Sequence, residues 1–136
     1  MSNQIQPIHE IMSQAPETIG SEQSIASAAV RMRELGVRHL PVLYGGRLAG
    51  VISDRDIAFI SSFSHVDPEQ TKVEEAMTPE PFIVGPSMPV GHVARQMADR
   101  KLGSALVVEG DKVVGIVTTT DALSLLADML GAAKTG

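Results

Sequence analysis

The sequence predicts an α/β protein built from two similar β-α-β-β-α repeats. Three observations support this fold class: an internal repeat at an offset of 65 residues, helical and strand-like patterns that alternate in the same order in both repeats, and glycine-containing turns at matched positions. Residues 12–56 align with residues 77–121 without a gap and share nine identities over 45 positions. Two such units are expected to bury apolar faces against each other about a pseudo-two-fold axis that carries a cleft.

The first repeat contains a regular series of helix and strand signals. Its predicted elements are a short helical turn over 8–12, a strand over 17–20, a helix that ends before Gly36, strands over 38–43 and 48–53, and a helix over 54–60. Ser24 is suited to the N-cap of the first helix, and Gly36 to its C-terminal end. The turn Tyr44-Gly-Gly-Arg47 predicts a hairpin between the two longer strands.

The second repeat follows the same plan. Its predicted elements are a strand over 82–84, a helix opened by Pro89, strands over 104–108 and 112–118, and a helix over 119–130. The predicted domain organisation is therefore a leader at 1–7, a first repeat at 8–60, a linker at 61–72, a second repeat at 73–130 and a frayed tail at 131–136.

Composition excludes several classes of function. A net charge of −5, with three Phe, one Tyr and no Trp, disfavours nucleic-acid binding, which needs positive charge and stacking platforms. The absence of Cys excludes disulfides, thiolate nucleophiles and Cys-based zinc sites, and the four His show no metal-ligand spacing. The N-terminus does not resemble a signal peptide and no apolar run approaches membrane-spanning length, so a cytoplasmic protein with no metal and no membrane contact is expected.

Both repeats end their last strand with the same short motif. Gly50-Val-Ile-Ser-Asp-Arg-Asp56 matches Gly115-Ile-Val-Thr-Thr-Thr-Asp121: glycine, two apolar residues, a hydroxyl residue, two variable positions and an Asp at a helix start. The N-terminus of a helix attracts anions, and the carboxylate can accept two hydrogen bonds from a ribose diol. A hydroxyl residue with Asp three positions later is equally typical of a helix-capping pair, so both interpretations remain open for each motif.

These motifs carry a resemblance to a known family. Together with the starts Ile11-Met-Ser13 and Ala76-Met-Thr-Pro79 and the stretch Gly36-Val-Arg-His-Leu-Pro-Val42, they resemble a tandem pair of cystathionine-β-synthase-type (CBS) domains, a Bateman module of the stand-alone bacterial type. The resemblance covers residues 8–130. It implies two repeats packed through their sheets, a homodimer in the form of a flat four-unit disc, and an adenosine-containing ligand such as AMP, ADP, ATP, S-adenosylmethionine or NAD in the cleft between the repeats.

The resemblance also assigns roles to individual residues. Asp56 and Asp121 would take ribose hydroxyls, and Ser53 and Thr118 would take ribose or phosphate. The adenine would be framed by residues of two strands in each repeat: Thr18, Ile19, Leu40 and Pro41 in the first, and Ile83, Val84, Ala105 and Leu106 in the second.

The two sites are expected to differ in charge. The first repeat places Arg38, His39 and Arg55 near its motif, and arginine binds phosphate in bidentate fashion. At the same positions the second repeat has Gly103, Ser104 and Thr120, so a phosphorylated ligand is less expected there. A solvated surface charge or an ion pair at a dimer interface is the alternative role of Arg38 and Arg55.

The sequence therefore predicts a regulatory module that binds an adenosine ligand and signals to a protein target that the sequence does not name. It is not predicted to be an enzyme, because no nucleophile elbow or oxyanion loop accompanies His39, Ser53 and Asp56, and the common nucleotide-loop fingerprints are absent. The alternative is a structural dimerisation or partner-binding module with degenerate ligand sites.

Overall fold

The computed structural model describes residues 6–133, and these form two compact units. One unit is the continuous segment Pro16–Pro81, here called the central unit. The other, here called the split unit, joins the residues up to Ala15 with the residues from Phe82 onward. Residues 1–5 of the predicted leader and residues 134–136 of the predicted tail lie outside the described residues.

Five helices and seven strands follow one another along the described chain, after a 3-10 turn at Ile8–Glu10. The strands are β1 (Ser13–Gln14), β2 (Ile19–Gly20), β3 (His39–Tyr44), β4 (Arg47–Ser53), β5 (Ile83–Val84), β6 (Ser104–Glu109) and β7 (Lys112–Thr118). The helices are α1 (Ile25–Leu35), α2 (Asp54–Ser61), α3 (Val73–Ala76), α4 (Val90–Arg100) and α5 (Thr119–Met129). The predicted α/β class and the β-α-β-β-α order of each repeat are confirmed.

The central unit contains a three-stranded sheet in the order β2-β3-β4. β2 runs parallel to β3, and β3 pairs with β4 as an antiparallel hairpin. Apolar side chains of the sheet and of α1 form its core, because Ile25, Ala28 and Met32 recur at helical spacing and face the strands. Val73 of α3 is fully buried in the same core.

The split unit contains a four-stranded sheet in the order β1-β7-β6-β5. The fourth strand is β1, which comes from the start of the first repeat and pairs antiparallel with the outer edge of β7. α4 contributes Val90, Val93 and Met97 to the core, and Ile8 of the 3-10 turn is buried beside them. Residues from both ends of the described chain therefore complete a single core.

The hydrogen-bonded register repeats at the same offset as the sequence. His39 pairs with Ser53 and Ser104 with Thr118, and each hairpin has its irregularity at the same place, after Val42 and after Val107. The repeat is therefore structural as well as sequential.

The sequence did not predict how the first residues of each repeat pack. Residues 8–15 belong to the split unit, and residues 73–81 belong to the central unit. Gly115 of β7 lies against the Met12 side chain, and Gly50 of β4 lies against Met77 and the Thr78 carbonyl. Each unit thus contains the leading segment of the other repeat.

Several element boundaries differ from the predicted ones. The strand predicted over 17–20 is limited to Ile19–Gly20, and the strand predicted over 82–84 to Ile83–Val84. β1 and α3 were not predicted, because two strand residues and a single helical turn are too short to produce a periodic pattern.

Candidate functional site

The junction between β4 and α2 is closed by reciprocal hydrogen bonds. The Asp56 backbone N–H donates to Ser53 Oγ at 3.1 Å, and the Ser53 backbone N–H donates to Asp56 Oδ2 at 2.9 Å. This is a capping box, so two backbone donors of the helix N-terminus are satisfied inside the protein. Ser53 and Asp56 remain only partly buried.

The junction between β7 and α5 has the same geometry. The Asp121 N–H donates to Thr118 Oγ1 at 3.3 Å, and the Thr118 N–H donates to Asp121 Oδ2 at 2.8 Å. The Thr118 hydroxyl lies 3.1 Å from the same carboxylate oxygen. The capping interpretation is therefore correct for both motifs.

Capping occupies only part of each carboxylate. The hydrogen bonds at both junctions go to Oδ2, and Oδ1 of Asp56 and of Asp121 makes none within the described residues. A carboxylate has about four lone-pair positions, so each Asp keeps acceptor capacity for an external donor such as a hydroxyl group. The two roles that the sequence left open are compatible in one side chain.

The start of the neighbouring strand lies beside each junction. The Asp54 N–H donates to the Arg38 carbonyl at 2.9 Å, and the Thr119 N–H donates to the Gly103 carbonyl at 3.1 Å. Arg38 and His39 therefore lie next to the Ser53–Asp56 motif, as Gly103 and Ser104 lie next to Thr118–Asp121. The sequence predicted this proximity, and the hairpin register produces it.

The two junctions differ in charge. Arg38 Nε lies 3.9 Å from Asp54 Oδ2, and both side chains are more than half exposed. Exposed pairs of this kind contribute only about 0–1 kcal/mol, so the guanidinium is available to exchange its partner for another anion. Arg55 and its counterpart Thr120 are both exposed, but only Arg55 carries a charge. Of the two junctions, the one in the central unit has arginine side chains close to its capping carboxylate.

Most of the residues assigned to the adenine base lie inside the protein. Ile19 and Leu40 pack into the core of the central unit, and Val84 and Ala105 pack into that of the split unit. Pro41 and Leu106 are also fully buried. The side chains in this set that reach solvent are Thr18, which is half-buried, and Ile83, which is 50% exposed.

Sequence reasoning missed a cavity beside α1. It has a volume of about 590 Å³ and is lined entirely by residues of the central unit, including Thr18, Arg31, Glu34 and Glu69. We call it the α1 cavity. The α1 residues in the lining are a mixture of charged, polar and apolar types on the outer side of an amphipathic helix. In sequence, such a mixture looks like an ordinary solvated surface. The one available signal was the proximity in sequence of Thr18, a predicted ligand residue, to α1.

Two further observations concern the described part of the chain. None of its helices combines the length and apolar character that a membrane crossing requires. Among the same residues, no group of three or more His, Asp or Glu side chains is arranged to hold a metal ion.

The family model of the CBS domain matches the chain twice, at residues 8–62 and 73–128. The chain belongs to the CBS domain family. The two matches correspond to the two sequence repeats, so the protein is a tandem CBS pair, as the resemblance predicted.

Relatives of this CBS pair include stand-alone proteins and parts of enzymes. The chain is 31% identical over 114 residues to the CBS domain-containing protein YhcV of Bacillus subtilis, covering 84% of this chain and 81% of that protein. It is 33% identical over 105 residues to an inosine-5′-monophosphate dehydrogenase of Korarchaeum cryptofilum. That match covers 76% of this chain but only 21% of the dehydrogenase, so the CBS pair spans about a fifth of that relative.

A solved structure of high similarity is the CBS domain pair of protein MJ0100, in complex with 5′-methylthioadenosine and S-adenosyl-L-methionine. Its TM-score is 0.83 at 31% sequence identity, with 92% of this chain and 98% of that chain covered. The CBS pair described here therefore shares its fold with a relative that binds adenosyl ligands.

Proposed function

We propose that this CBS pair is a regulatory module that senses an adenosine-containing ligand, such as AMP, ADP, ATP or a related adenosyl compound. The observation that carries the proposal is the pair of matched capping boxes, in which Asp56 and Asp121 each keep one carboxylate oxygen without a hydrogen bond in the described residues. That oxygen is a suitable acceptor for a ribose diol beside a helix N-terminus. The adenosyl ligands of the similar MJ0100 pair support the same chemical class.

The charge difference between the junctions supports a finer proposal. We propose that a phosphorylated ligand binds beside the Ser53–Asp56 junction, where Arg38, His39 and Arg55 are nearby basic residues. The Thr118–Asp121 junction has hydroxyl groups and no nearby arginine, so it suits an adenosyl ligand without phosphate or remains empty. We also assign Thr120 and the strand residues predicted to frame the adenine to the proposed ligand sites.

Regulation requires that the ligand favours one conformation of the protein over another. The proposed module is not an enzyme; it passes this change to a protein target. We propose that it is cytoplasmic and acts without a metal, a membrane or a nucleic-acid partner.

The first experiment is a ligand screen by thermal shift and calorimetry with AMP, ADP, ATP, NADH, S-adenosylmethionine and GTP. A ligand that binds only the native state adds about 2.7 kcal/mol of stability at a hundredfold excess over Kd. We expect stabilisation by an adenosine ligand and none by GTP. Absence of a shift with every compound would contradict the proposed sensor function.

The carboxylates are tested by Asp56→Asn and Asp121→Asn, which keep an oxygen acceptor for the capping box but remove the charge. We expect about tenfold weaker ligand binding at the occupied junction, because a hydrogen bond to a charged acceptor is stronger than one to an amide by ~1.4 kcal/mol. The control is Asp128→Asn, an exposed carboxylate in the same helix as Asp121. Unchanged affinity in both junction variants would exclude the carboxylates as ligand contacts.

The repeat itself provides the test of the charge difference. Arg55→Thr and Thr120→Arg exchange the two matched positions. We expect Arg55→Thr to weaken AMP more than 5′-methylthioadenosine, and Thr120→Arg to do the opposite. Equal effects on both ligands would remove Arg55 from phosphate recognition.

A second candidate function is a homodimerisation module, and one surface favours it. α5 exposes Leu123, Leu126 and Met129 by 64%, 50% and 56%, and the adjoining Leu130 by 77%. Contiguous apolar surface of this kind is typical of protein interfaces. We propose that a second copy of the chain covers it. Leu126→Glu should shift a dimer to a monomer in sedimentation experiments, while the exposed control Ser124→Glu should not; a monomeric parent protein would contradict the proposed dimer.

A further inference from the structure

The α1 cavity contains an arginine whose hydrogen bonding is incomplete. Arg31 Nη2 donates to Glu17 Oε2 at 2.8 Å, but Arg31 Nε is buried without a hydrogen-bond partner among the described residues. Leaving a buried donor unsatisfied costs about 1–3 kcal/mol, and the large majority of buried polar side-chain atoms in native proteins are hydrogen-bonded. The Arg31–Glu17 pair is itself 43% and 59% exposed, so it contributes little stability. The guanidinium can therefore exchange Glu17 for a ligand carboxylate.

The other charged residues of the cavity have the opposite sign. Glu34 follows Arg31 by three positions on α1, which places both on one side of the helix. Glu69 reaches the same cavity from the loop that precedes α3, and Arg31 is the single basic residue in the lining. With one arginine and two glutamates, the charged lining is net negative, and the carboxylates of Glu34 and Glu69 attract a cation.

The rest of the lining suits a small organic molecule. Ala26 and Val30 present apolar surface, and the hydroxyl groups of Thr18 and Ser27 lie at the same cavity. The α1 cavity is a groove that opens widely to solvent, and its volume of about 590 Å³ falls within the usual range for small-molecule sites. A ligand that satisfies all of these groups carries a carboxylate, an ammonium group and a short carbon chain.

We propose that the α1 cavity binds a free amino acid, with its carboxylate on Arg31 and its ammonium group between Glu34 and Glu69. The excess of acidic residues favours an amino acid with a cationic side chain over one with an acidic side chain. The lining does not include the capping-box residues Ser53 and Asp56, although it does include Thr18 and Ile19, which were assigned to the adenine. A module with both sites would respond to amino-acid supply as well as to an adenosine ligand.

The test is an NMR titration of the full chain with L-lysine, L-leucine, L-glutamate and cadaverine, a diamine without a carboxylate. We expect saturable shifts at the amides of Thr18, Ser27 and Arg31, with lysine tighter than leucine, and glutamate and cadaverine each at least tenfold weaker than lysine. Arg31→Gln and the double variant Glu34→Gln, Glu69→Gln should each weaken lysine at least tenfold. The controls Arg33→Gln and Glu22→Gln change exposed residues outside the lining and should leave lysine binding within twofold.

Several results would overturn the proposal. These are no saturable response to any amino acid, shifts confined to the amides of 53–56, or equal binding of cadaverine and lysine. Competition between AMP and lysine would also overturn it, because a shared site at Thr18 would leave no separate amino-acid cavity. A protein that binds lysine here but no nucleotide would refute only the proposed adenosine function, so the two proposals fail independently.

Discussion

Lys101 ends α4 in the left-handed conformation that Gly36 adopts at the matched position of the other repeat. Its φ is 56°, against 68° for Gly36, and each backbone N–H donates to the last turn of its helix. Glycine adopts this conformation without steric cost, whereas a residue with a Cβ atom is strained there. The two repeats therefore end matched helices in the same backbone conformation with different residues.

We predict that Lys101→Gly stabilises the protein by about 0.5–1 kcal/mol and that Gly36→Lys destabilises it by about 1–2 kcal/mol. A Cβ atom at Gly36 meets no neighbour within 4 Å, so the cost there is conformational rather than steric. Urea unfolding with an unchanged m-value measures both effects. A loss of stability in Lys101→Gly would show that the lysine side chain makes a compensating interaction.

The capping residues show what sequence could predict at this scale. The pairs Ser53/Asp56 and Thr118/Asp121 were singled out because the same residue types recur at an offset of 65 residues, and both form the hydrogen bonds expected of a helix start. The unpartnered Nε of Arg31 could not be predicted from the sequence. It depends on how the Arg31 side chain packs against its surroundings, and the spacing of residues along the chain does not indicate this packing.

At the scale of elements, each hairpin strand contains a glycine that a methionine of a leading segment covers. At Gly50 an added Cβ would meet the Met77 side chain and the Thr78 carbonyl. That carbonyl is fixed, because it accepts a hydrogen bond from the Val51 N–H at 3.1 Å. At Gly115 the three atoms nearest to an added Cβ all belong to the Met12 side chain.

Alanine substitution should therefore have unequal costs at these two glycines. We predict that Gly50→Ala destabilises the protein by about 2–3 kcal/mol and Gly115→Ala by about 1–2 kcal/mol, the range typical of overpacking. Adding Met12→Ala should recover part of the loss in Gly115→Ala, because the obstructing atoms are removed. Met77→Ala should not rescue Gly50→Ala, because the carbonyl remains. Thermal unfolding of the two glycine variants and the two double variants measures these differences in stability. Rescue at both sites would contradict the role of the Thr78 backbone.

The elements themselves follow closely from local sequence. α1 has Ser24 as N-cap and Gly36 as its left-handed end, and both hairpins turn at glycines with positive φ, so local chemistry determines these features. The partners of the short elements do not follow. β1 is specified by its pairing with β7, and α3 by the burial of Val73 in a core built from residues distant in sequence, so neither segment carries a periodic pattern of its own.

At the scale of the whole molecule, the two units differ in how the chain completes them. The central unit is continuous. Backbone hydrogen bonds join the start of α1 to the start of α3, from the Ile25 N–H to the Thr71 carbonyl at 2.8 Å and from the Val73 N–H to the Gln23 carbonyl at 2.7 Å. The split unit needs the leading segment. The Ile8 N–H donates to the Met88 carbonyl at 2.7 Å, and the Ile8 side chain is 1% exposed. Ile8 lies within the segment that the sequence assigned to the first repeat.

This difference predicts unequal independence of the two units. We expect a fragment of residues 16–81 to fold cooperatively on its own, because the core and the closing helix α3 are all present. A fragment of residues 82–136 should not, because it lacks β1 and Ile8; burying one such apolar side chain is worth about 1.5–3 kcal/mol, a large share of the stability of a small domain. Circular dichroism and NMR dispersion of the two fragments measure the difference.

A peptide of residues 6–15 provides the matched control. Added to the fragment of residues 82–136, it should restore cooperative unfolding, since it supplies both the strand pairing with β7 and the buried Ile8. The same peptide with Ile8→Asp should fail, because an unpaired carboxylate would have to enter the core. Independent folding of residues 82–136 without the peptide would show that the leading segment is an accessory of the split unit. Folding only with the peptide would make that segment a point at which release of ten residues unfolds one unit while the other stays intact, and a partner that captured the segment would then control half of the module.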